Sequence, residues 1–240
     1  AADDPRAGMK RFWKQARVEQ VEGGWLVKLD ERPVRTPARR LCVVPVAGMA
    51  DGIAAEWNAQ GERIDPLSMP LTRAASTCLD RVGPELDAVR RTVAGYGGTD
   101  LLCYRAPEPA ELAQRQARAW DPLLDWAAQV FGARLAIGEG VMHIAQPPET
   151  VARLSAEVRT LDPWELTALT ELTTLGGSLV LALAVLHGRL APAEAWSLSR
   201  LDEQWNIEQW GEDAEAARQA ARREADFLAA AELLRLLGRT

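Results

Sequence analysis

Cysteine and histidine are scarce in this chain of 240 residues. The three cysteines, Cys42, Cys78 and Cys103, stand far apart, which excludes a disulfide framework and predicts a reducing compartment. The two histidines, His143 and His187, have no ligand-like neighbour at helical spacing, so neither belongs to a recognisable zinc or iron motif. The sequence therefore predicts no bound metal.

Sequence motifs that bind nucleotides or present a nucleophile are also missing. The chain contains no G-x-G-x-x-G after a strand, no G-x-x-x-x-G-K-[ST], no G-x-S-x-G and no H-E-x-x-H. Its two glycine clusters, Gly95–Gly98 and Gly176-Gly177, are predicted to be a turn and a close contact between helices. We expect no cofactor.

Long apolar runs and an excess of basic residues are absent as well. The longest apolar run, Leu179–Leu186, is far shorter than the roughly 20 residues needed to cross a bilayer. Residues 1–10 have no apolar stretch and contain adjacent aspartates, unlike a secretory signal or a transit peptide. The net charge of -6 repels nucleic acid. These features predict a cytoplasmic protein without membrane insertion and without a nucleic-acid partner.

The N-terminal part of the chain has the pattern of short strands. Segments 17–21 and 25–29 alternate apolar and polar residues around Gly23-Gly24, which predicts a hairpin. Segments 34–36 and 41–44 continue the meander.

A single helix follows these predicted strands. Val46, Ala50, Ile53 and Trp57 recur at helical spacing, and Gly61 is predicted to end the helix. Trp57 completes this apolar stripe, so we expect it in the core rather than on a contact surface.

Everything after the proline-containing connector at 65–70 has a helical pattern. We therefore predict an α+β protein with a β-rich N-terminal domain over 1–70 and a larger helical domain over 71–240. Asp162 and Pro163 form a helix start, and 134–144 has the pattern of a small hairpin. The predicted helical segments are 71–82, 85–93, 108–131, 164–175, 178–187, 192–210 and 212–237.

The predicted helix 192–210 is apolar on two opposite sides. On a continuous helix one side carries Glu194, Leu198, Leu201 and Trp205, and the other carries Trp196, Arg200, Glu203, Ile207 and Trp210. An unpaired Glu203 is costly in a dry interior. Two interpretations remain open: an internal Arg200–Glu203 ion pair, or a protein-binding face with a charged centre ringed by aromatic residues.

Several short motifs in series resemble one protein family. They are Arg11-Phe12-Trp13-Lys14, Glu56-Trp57 with Gln60, Met69-Pro70-Leu71-Thr72, Asp80, Ser199-Arg200-Leu201-Asp202-Glu203 and Trp210-Gly211. In order and spacing the chain resembles the assembly chaperones of the F1 part of ATP synthase that handle the alpha subunit.

The resemblance implies a two-domain, non-catalytic chaperone whose client is newly made F1 alpha subunit. An acidic residue of the C-terminal part is important in this family, and here it falls on Asp202 or Glu203; the helical phase favours Glu203. The predicted client-binding residues are Glu203, Asp202, Trp196, Arg200, Ile207 and Trp210, and the predicted structural residues are Trp57, Met69, Thr72 and Asp80. Eukaryotic members are mitochondrial, whereas this chain is expected to be a bacterial, cytoplasmic monomer.

Two other classes of function compete with the chaperone. An enzyme could use Glu203 with Glu171 as acid and base in one pocket. A regulatory module would need an enclosed apolar cavity between the two domains. A broad exposed aromatic patch favours the chaperone, and a deep pocket with two carboxylates favours the enzyme.

Overall fold

The computed structural model describes residues 4–239, and its N-terminal part is a four-stranded antiparallel sheet. The strands are β1 (Ala16–Val21), β2 (Gly24–Leu29), β3 (Arg32–Pro33) and β4 (Val43–Val44), with β2 in contact with the other three. The predicted β1–β2 hairpin is confirmed, with Val18 opposite Val27. Gly24 has to be glycine, because a Cβ there would lie 2.3 Å from the Val44 carbonyl oxygen.

The third strand differs from the prediction at 34–36. Strand β3 ends at Pro33, and Arg35 forms an isolated bridge to Leu41. Part of the expected pairing is kept, because the Val34 amide donates to the Val27 carbonyl at 2.8 Å and the Cys42 amide donates to the Val34 carbonyl at 3.0 Å. The Thr36 hydroxyl donates to the distant Asp80 carboxylate at 2.7 Å.

Helix α1 (Ala47–Asn58) packs on this sheet with its apolar stripe inward. Trp57 is 3% exposed, so its predicted place in the core is confirmed. Its ring meets that of Trp13 edge to face, with 5.1 Å between the ring centroids.

The rest of the described chain is mainly helical. The helices are α2 (Pro70–Thr77), α3 (Leu86–Gly95), α4 (Ala110–Phe131), α5 (Pro148–Arg159), α6 (Pro163–Gly176), α7 (Leu179–Leu186), α8 (Pro192–Ser199), α9 (Leu201–Trp210) and α10 (Ala214–Leu236). The predicted start of α6 is confirmed: the Asp162 carboxylate accepts the amides of Trp164 and Glu165. Among residues 4–239, no helix combines the length and apolarity that crossing a bilayer requires.

Two segments between residues 130 and 160 differ from the prediction. Helix α5 was not predicted from the sequence, and the hairpin expected at 134–144 is wrong. Instead β5 (Tyr104–Arg105) pairs in parallel with β6 (Gly138–Glu139). The segment pairs through the backbone of Gly138 and Glu139 with a distant part of the chain, and a local sequence pattern does not indicate such a pairing.

Two carboxylates join the sheet region to the helices. Glu56 of α1 accepts the Leu71 and Thr72 amides at 2.6 and 2.8 Å and the Thr72 hydroxyl at 2.6 Å, so it caps α2 from another element. Burial raises the pKa of Glu56, and these donors oppose the shift. Asp80 accepts the Thr36 hydroxyl and the Ala38 amide.

The core continues across this joint. Met69 is buried just before α2, and one apolar cluster runs from Trp13 through α1 to the C-terminal half of α10. The division at residue 70 coincides with the start of α2 and stays a prediction.

Candidate protein-binding surface

The predicted helix 192–210 is broken at Arg200. Ser199 donates its hydroxyl to the Trp196 carbonyl at 2.7 Å, which is the acceptor that the Arg200 amide would use in a continuous helix. The Arg200 amide bonds to the Ser197 carbonyl instead, and the Arg200 backbone (φ -110°, ψ 16°) is not helical. A separate helix, α9, therefore begins at Leu201, and its residues do not continue the helical phase of α8.

Because of this break, the predicted two-sided helix is wrong. Trp196 is 5% exposed, and its ring lies 5.5 Å from that of Phe227, centroid to centroid. It does not share a surface with Ile207 and Trp210. Arg200 lies over the Trp196 ring, with 5.7 Å from its Cζ atom to the centroid. Trp196 thus makes a cation–π contact with Arg200.

Within α9, three residues at positions i, i+4 and i+7 are exposed on one side, and we call them the α9 stripe: Glu203, Ile207 and Trp210. Ile207 is 40% exposed and Trp210 is 85% exposed. Arg200 donates to Glu203 at 2.9 Å, so the predicted ion pair exists, but it lies at the surface rather than in the interior. The interior location predicted for the ion pair is therefore wrong, and the protein-binding face stays a prediction.

The opposite side of α9 faces α4. Leu201 is the buried residue of α9, and Asp202 accepts the Gln116 side-chain amide at 2.7 Å. Farther along, Arg115 donates to both carboxylate oxygens of Glu208 at 2.6 and 2.9 Å. These hydrogen bonds lower the pKa of Glu208. Asp202 and Glu203, adjacent in sequence, thus have different surroundings.

A groove of about 230 Å³ runs beside the α9 stripe. Arg200, Asp202 and Glu203 form one wall, and the C-terminal end of α6 at Gly176-Gly177 forms another. The predicted close contact at these glycines is present, because a Cβ on Gly176 would lie 3.4 Å from the Phe227 ring. Its lining includes the charged side chains of Arg200, Asp202, Glu203 and Arg223.

The structural residues of the motifs lie away from this surface. Met69 and Thr72 are buried at the start of α2, Trp57 lies in the sheet-side core, and Asp80 ties the helices to the turn after β3. Sequence reasoning missed Gln116, Arg115 and Glu208. Only Gln116 had a signal: it occupies an apolar position of α4, between Leu112 and Trp120.

The carboxylate pair expected of an enzyme is not assembled. Glu171 lines a cleft beside Arg73 and Asp226, whereas Glu203 lines the groove at α9, and the two cavities share no lining residue. Partial burial and the nearby Asp226 raise the pKa of Glu171. The cleft of about 520 Å³ between the N-terminal region and the helices is lined mostly by charged and polar side chains, unlike an enclosed apolar ligand cavity.

The chain is similar in sequence and in structure to known proteins. The profile of the family described as ATP12 chaperone protein matches residues 10–128. The crystal structure of Atp12 from Paracoccus denitrificans is 48% identical, with a TM-score of 0.89 over 95% of this chain and 97% of that chain. The structure of the D202K mutant of P. denitrificans Atp12p is 46% identical, with a TM-score of 0.90 over 98% and 99% of the two chains.

A eukaryotic relative is also similar. The protein atp12, mitochondrial, of Schizosaccharomyces pombe is 25% identical over 224 residues, which cover 88% of this chain and 77% of the relative.

The α9 stripe is exposed, and Glu203 and Glu171 do not line the same cavity. The chain belongs to the ATP12 chaperone family, the non-catalytic assembly chaperones of ATP synthase that its motifs resemble.

Proposed function

We propose that this protein holds the F1 alpha subunit through the α9 stripe before the subunit enters the ring of alpha and beta subunits. The observation that carries the proposal is the exposure of Trp210, 85%, on the same side of α9 as Ile207 and the carboxylate of Glu203. Tryptophan at the centre of an interface contributes strongly to binding energy. We propose the bacterial cytoplasm as the place of action and a monomer as the active form.

The chemistry of the stripe suggests what it contacts. A subunit that belongs in a ring exposes apolar surface when it is alone, and such a patch invites aggregation. Ile207 and Trp210 would cover part of that patch, while Glu203 would meet an arginine or lysine within it. Arg200 already neutralises part of the Glu203 charge, so the client's basic group would compete for an exposed oxygen.

Release of the client follows from competition in this proposal. The chain has no nucleotide-binding motif, so hydrolysis within the chaperone is not available to drive a cycle. The incoming beta subunit would displace the chaperone from the surface that it covers. ATPase activity intrinsic to the purified protein would contradict this part of the proposal.

The first experiment is the charge reversal Glu203→Lys. We expect at least about a tenfold loss of affinity for alpha subunit, since a like charge at a desolvated contact costs several kcal/mol. The fold should stay intact because Glu203 is exposed and its one ion partner, Arg200, is at the surface.

The matched control is Glu22→Lys, the same charge change in the exposed turn between β1 and β2. Titration with alpha subunit, together with circular dichroism and the melting temperature, separates binding from folding. Equal losses of affinity in both variants, or unfolding of Glu203→Lys, would contradict the role of the stripe.

The second experiment measures specificity. Alpha and beta subunits share a fold, so the chaperone has to discriminate by the shape and charge of one surface. We expect tighter binding of isolated alpha than of isolated beta subunit by at least about tenfold, which corresponds to about 1.4 kcal/mol. Moderate salt should weaken binding only slightly if the charge contact is buried. Equal binding of both subunits would reduce the protein to a general holding chaperone.

A further inference from the structure

Helix α9 is held to the rest of the protein mainly by hydrogen bonds. Of its ten residues, Leu201 is buried and Trp205 packs partly against the core. Its side-chain hydrogen bonds with α4 run from Gln116 to Asp202 and from Arg115 to Glu208. Just before α9, the Trp120 indole donates to the Leu198 carbonyl at 3.1 Å. The direction of the α9 stripe therefore depends on polar contacts with α4.

Gln116 is the most buried member of these contacts. It is 1% exposed, so it cannot touch a bound protein. Its carbonyl oxygen accepts the Ala106 amide at 2.8 Å, and its amide nitrogen donates to Asp202 at 2.7 Å. Both ends of the side chain are used, which fixes its orientation and the position of the Asp202 carboxylate.

We propose that Asp202 is a positioning residue: through Gln116 it locks α9 onto α4 and so aims the α9 stripe, while Glu203 is the acid that meets the client. This inference rests on the proposed function for the client contact, but the lock itself is a property of the free protein. What Gln116 needs from residue 202 is a hydrogen-bond acceptor, whereas a client's basic group would need a negative charge. The two roles are therefore separable.

The conservative variant Asp202→Asn separates them. Asparagine keeps an oxygen that can accept the Gln116 amide and removes the charge. We expect its affinity for alpha subunit to stay within about threefold of wild type. Asp202→Lys removes the acceptor and places a cation beside the Gln116 amide, and we expect at least about a tenfold loss. A loss in Asp202→Asn as large as that in Asp202→Lys would overturn the proposal.

The reciprocal change is made inside the protein, where no client can reach. Gln116→Glu keeps an oxygen for the Ala106 amide but brings a carboxylate against Asp202, so we expect at least about a tenfold loss of affinity. Combining Gln116→Glu with Asp202→Lys creates an attractive pair across the same contact and should restore affinity to within about threefold of wild type. If the affinity loss of the double variant equals the sum, in free energy, of the losses of the two single variants, the proposed contact between Gln116 and Asp202 is contradicted.

A measurement on the free protein makes the test independent of the client. Amide hydrogen exchange over 201–210 should be at least about tenfold faster in Gln116→Glu and in Asp202→Lys than in wild type or Asp202→Asn. Exchange in α7 should not change. The matched control is Arg235→Ala, which removes an exposed ion pair within α10 and should change exchange over 201–210 by less than about threefold.

The outcomes keep the two proposals apart. If wild-type protein does not bind alpha subunit, the proposed function fails, and the exchange data still decide whether Gln116 and Asp202 lock α9. If wild type binds and exchange over 201–210 is the same in all variants, the lock is wrong while the client assignment stands.

Discussion

Helices α7 and α9 have similar lengths and opposite surroundings. All eight residues of α7 are buried and apolar, and its first turn is capped by Ser178, whose hydroxyl accepts the Leu181 amide. In α9 only Leu201 is buried, and the exposed side carries Glu203, Ile207 and Trp210. The same helical backbone thus serves in one case to fill the core and in the other to present a surface.

This difference concerns how each helix is stabilised. Burial of apolar side chains stabilises the fold by roughly 25 cal/mol per Å², and α7 gains from it along its whole length. Helix α9 gains little from burial and depends on a few hydrogen bonds to α4. We expect substitutions in the buried elements to change stability and substitutions on α9 to change binding.

The largest loss of stability is expected from a substitution in α1, whose apolar side is buried like α7. Trp57→Arg removes the aromatic contact with Trp13 and strands a guanidinium in the core, which typically destabilises by several kcal/mol. We expect aggregation or unfolding during expression, measured by solubility and circular dichroism. A soluble Trp57→Arg variant with normal stability and lost client binding would place Trp57 at the client instead.

The next largest loss of stability is expected in α7, and it is compared with a substitution in α9. Leu183→Ala in α7 should lower the free energy of unfolding by about 2–5 kcal/mol, because Leu183 is completely buried. Ile207→Ala on the α9 stripe should change it by less than about 0.5 kcal/mol and should instead weaken client binding. Urea denaturation of both variants measures the contrast. Similar losses of stability would remove the distinction between the two helices.

A smaller effect is expected at the joint between α1 and α2. Thr72→Val keeps the shape of a buried side chain but removes its hydroxyl bond to Glu56, and we expect a loss of about 1–3 kcal/mol. Thr160→Val is the control, because the Thr160 hydroxyl bonds at the exposed end of α5. Equal decreases of the denaturation midpoint in both variants would contradict a particular contribution of the Thr72–Glu56 hydrogen bond to stability.

The smallest effect belongs to the exposed pair of Arg115 and Glu208. Its bonds lower the pKa of Glu208, so the pair stabilises the protein above the ordinary glutamate pKa and loses its effect as pH falls through the lowered value. The melting temperature of Glu208→Gln should be slightly below that of wild type at about pH 7, and the difference should shrink as the pH falls below the ordinary glutamate pKa. A difference that grows on acidification would have the wrong sign for this pair.

Much of the local structure could be predicted because its causes lie close together in the sequence. The β1–β2 hairpin follows from alternation around Gly23-Gly24, the start of α6 from the Asp162 cap, and the long helix α4 from its period. The stripe on α9 was predicted in part: Glu203, Ile207 and Trp210 keep their relative phase because they lie on one helix segment. Trp196 does not, because a hydroxyl of Ser199 interrupts the helix between them.

The sequence by itself determined the α+β class, the core position of Trp57 and the family, since each depends on residue types at short or repeated spacing. Only the tertiary structure decided how Asp202 and Glu203 differ. Asp202 meets Gln116, which lies 86 residues away, whereas Glu203 remains at the surface. Helical phase indicates which residues share one side of a helix, but it gives no information about which residues of another helix pack against that side. Which of two adjacent carboxylates bonds to the partner helix and which lies at the surface depends on how α9 packs on α4.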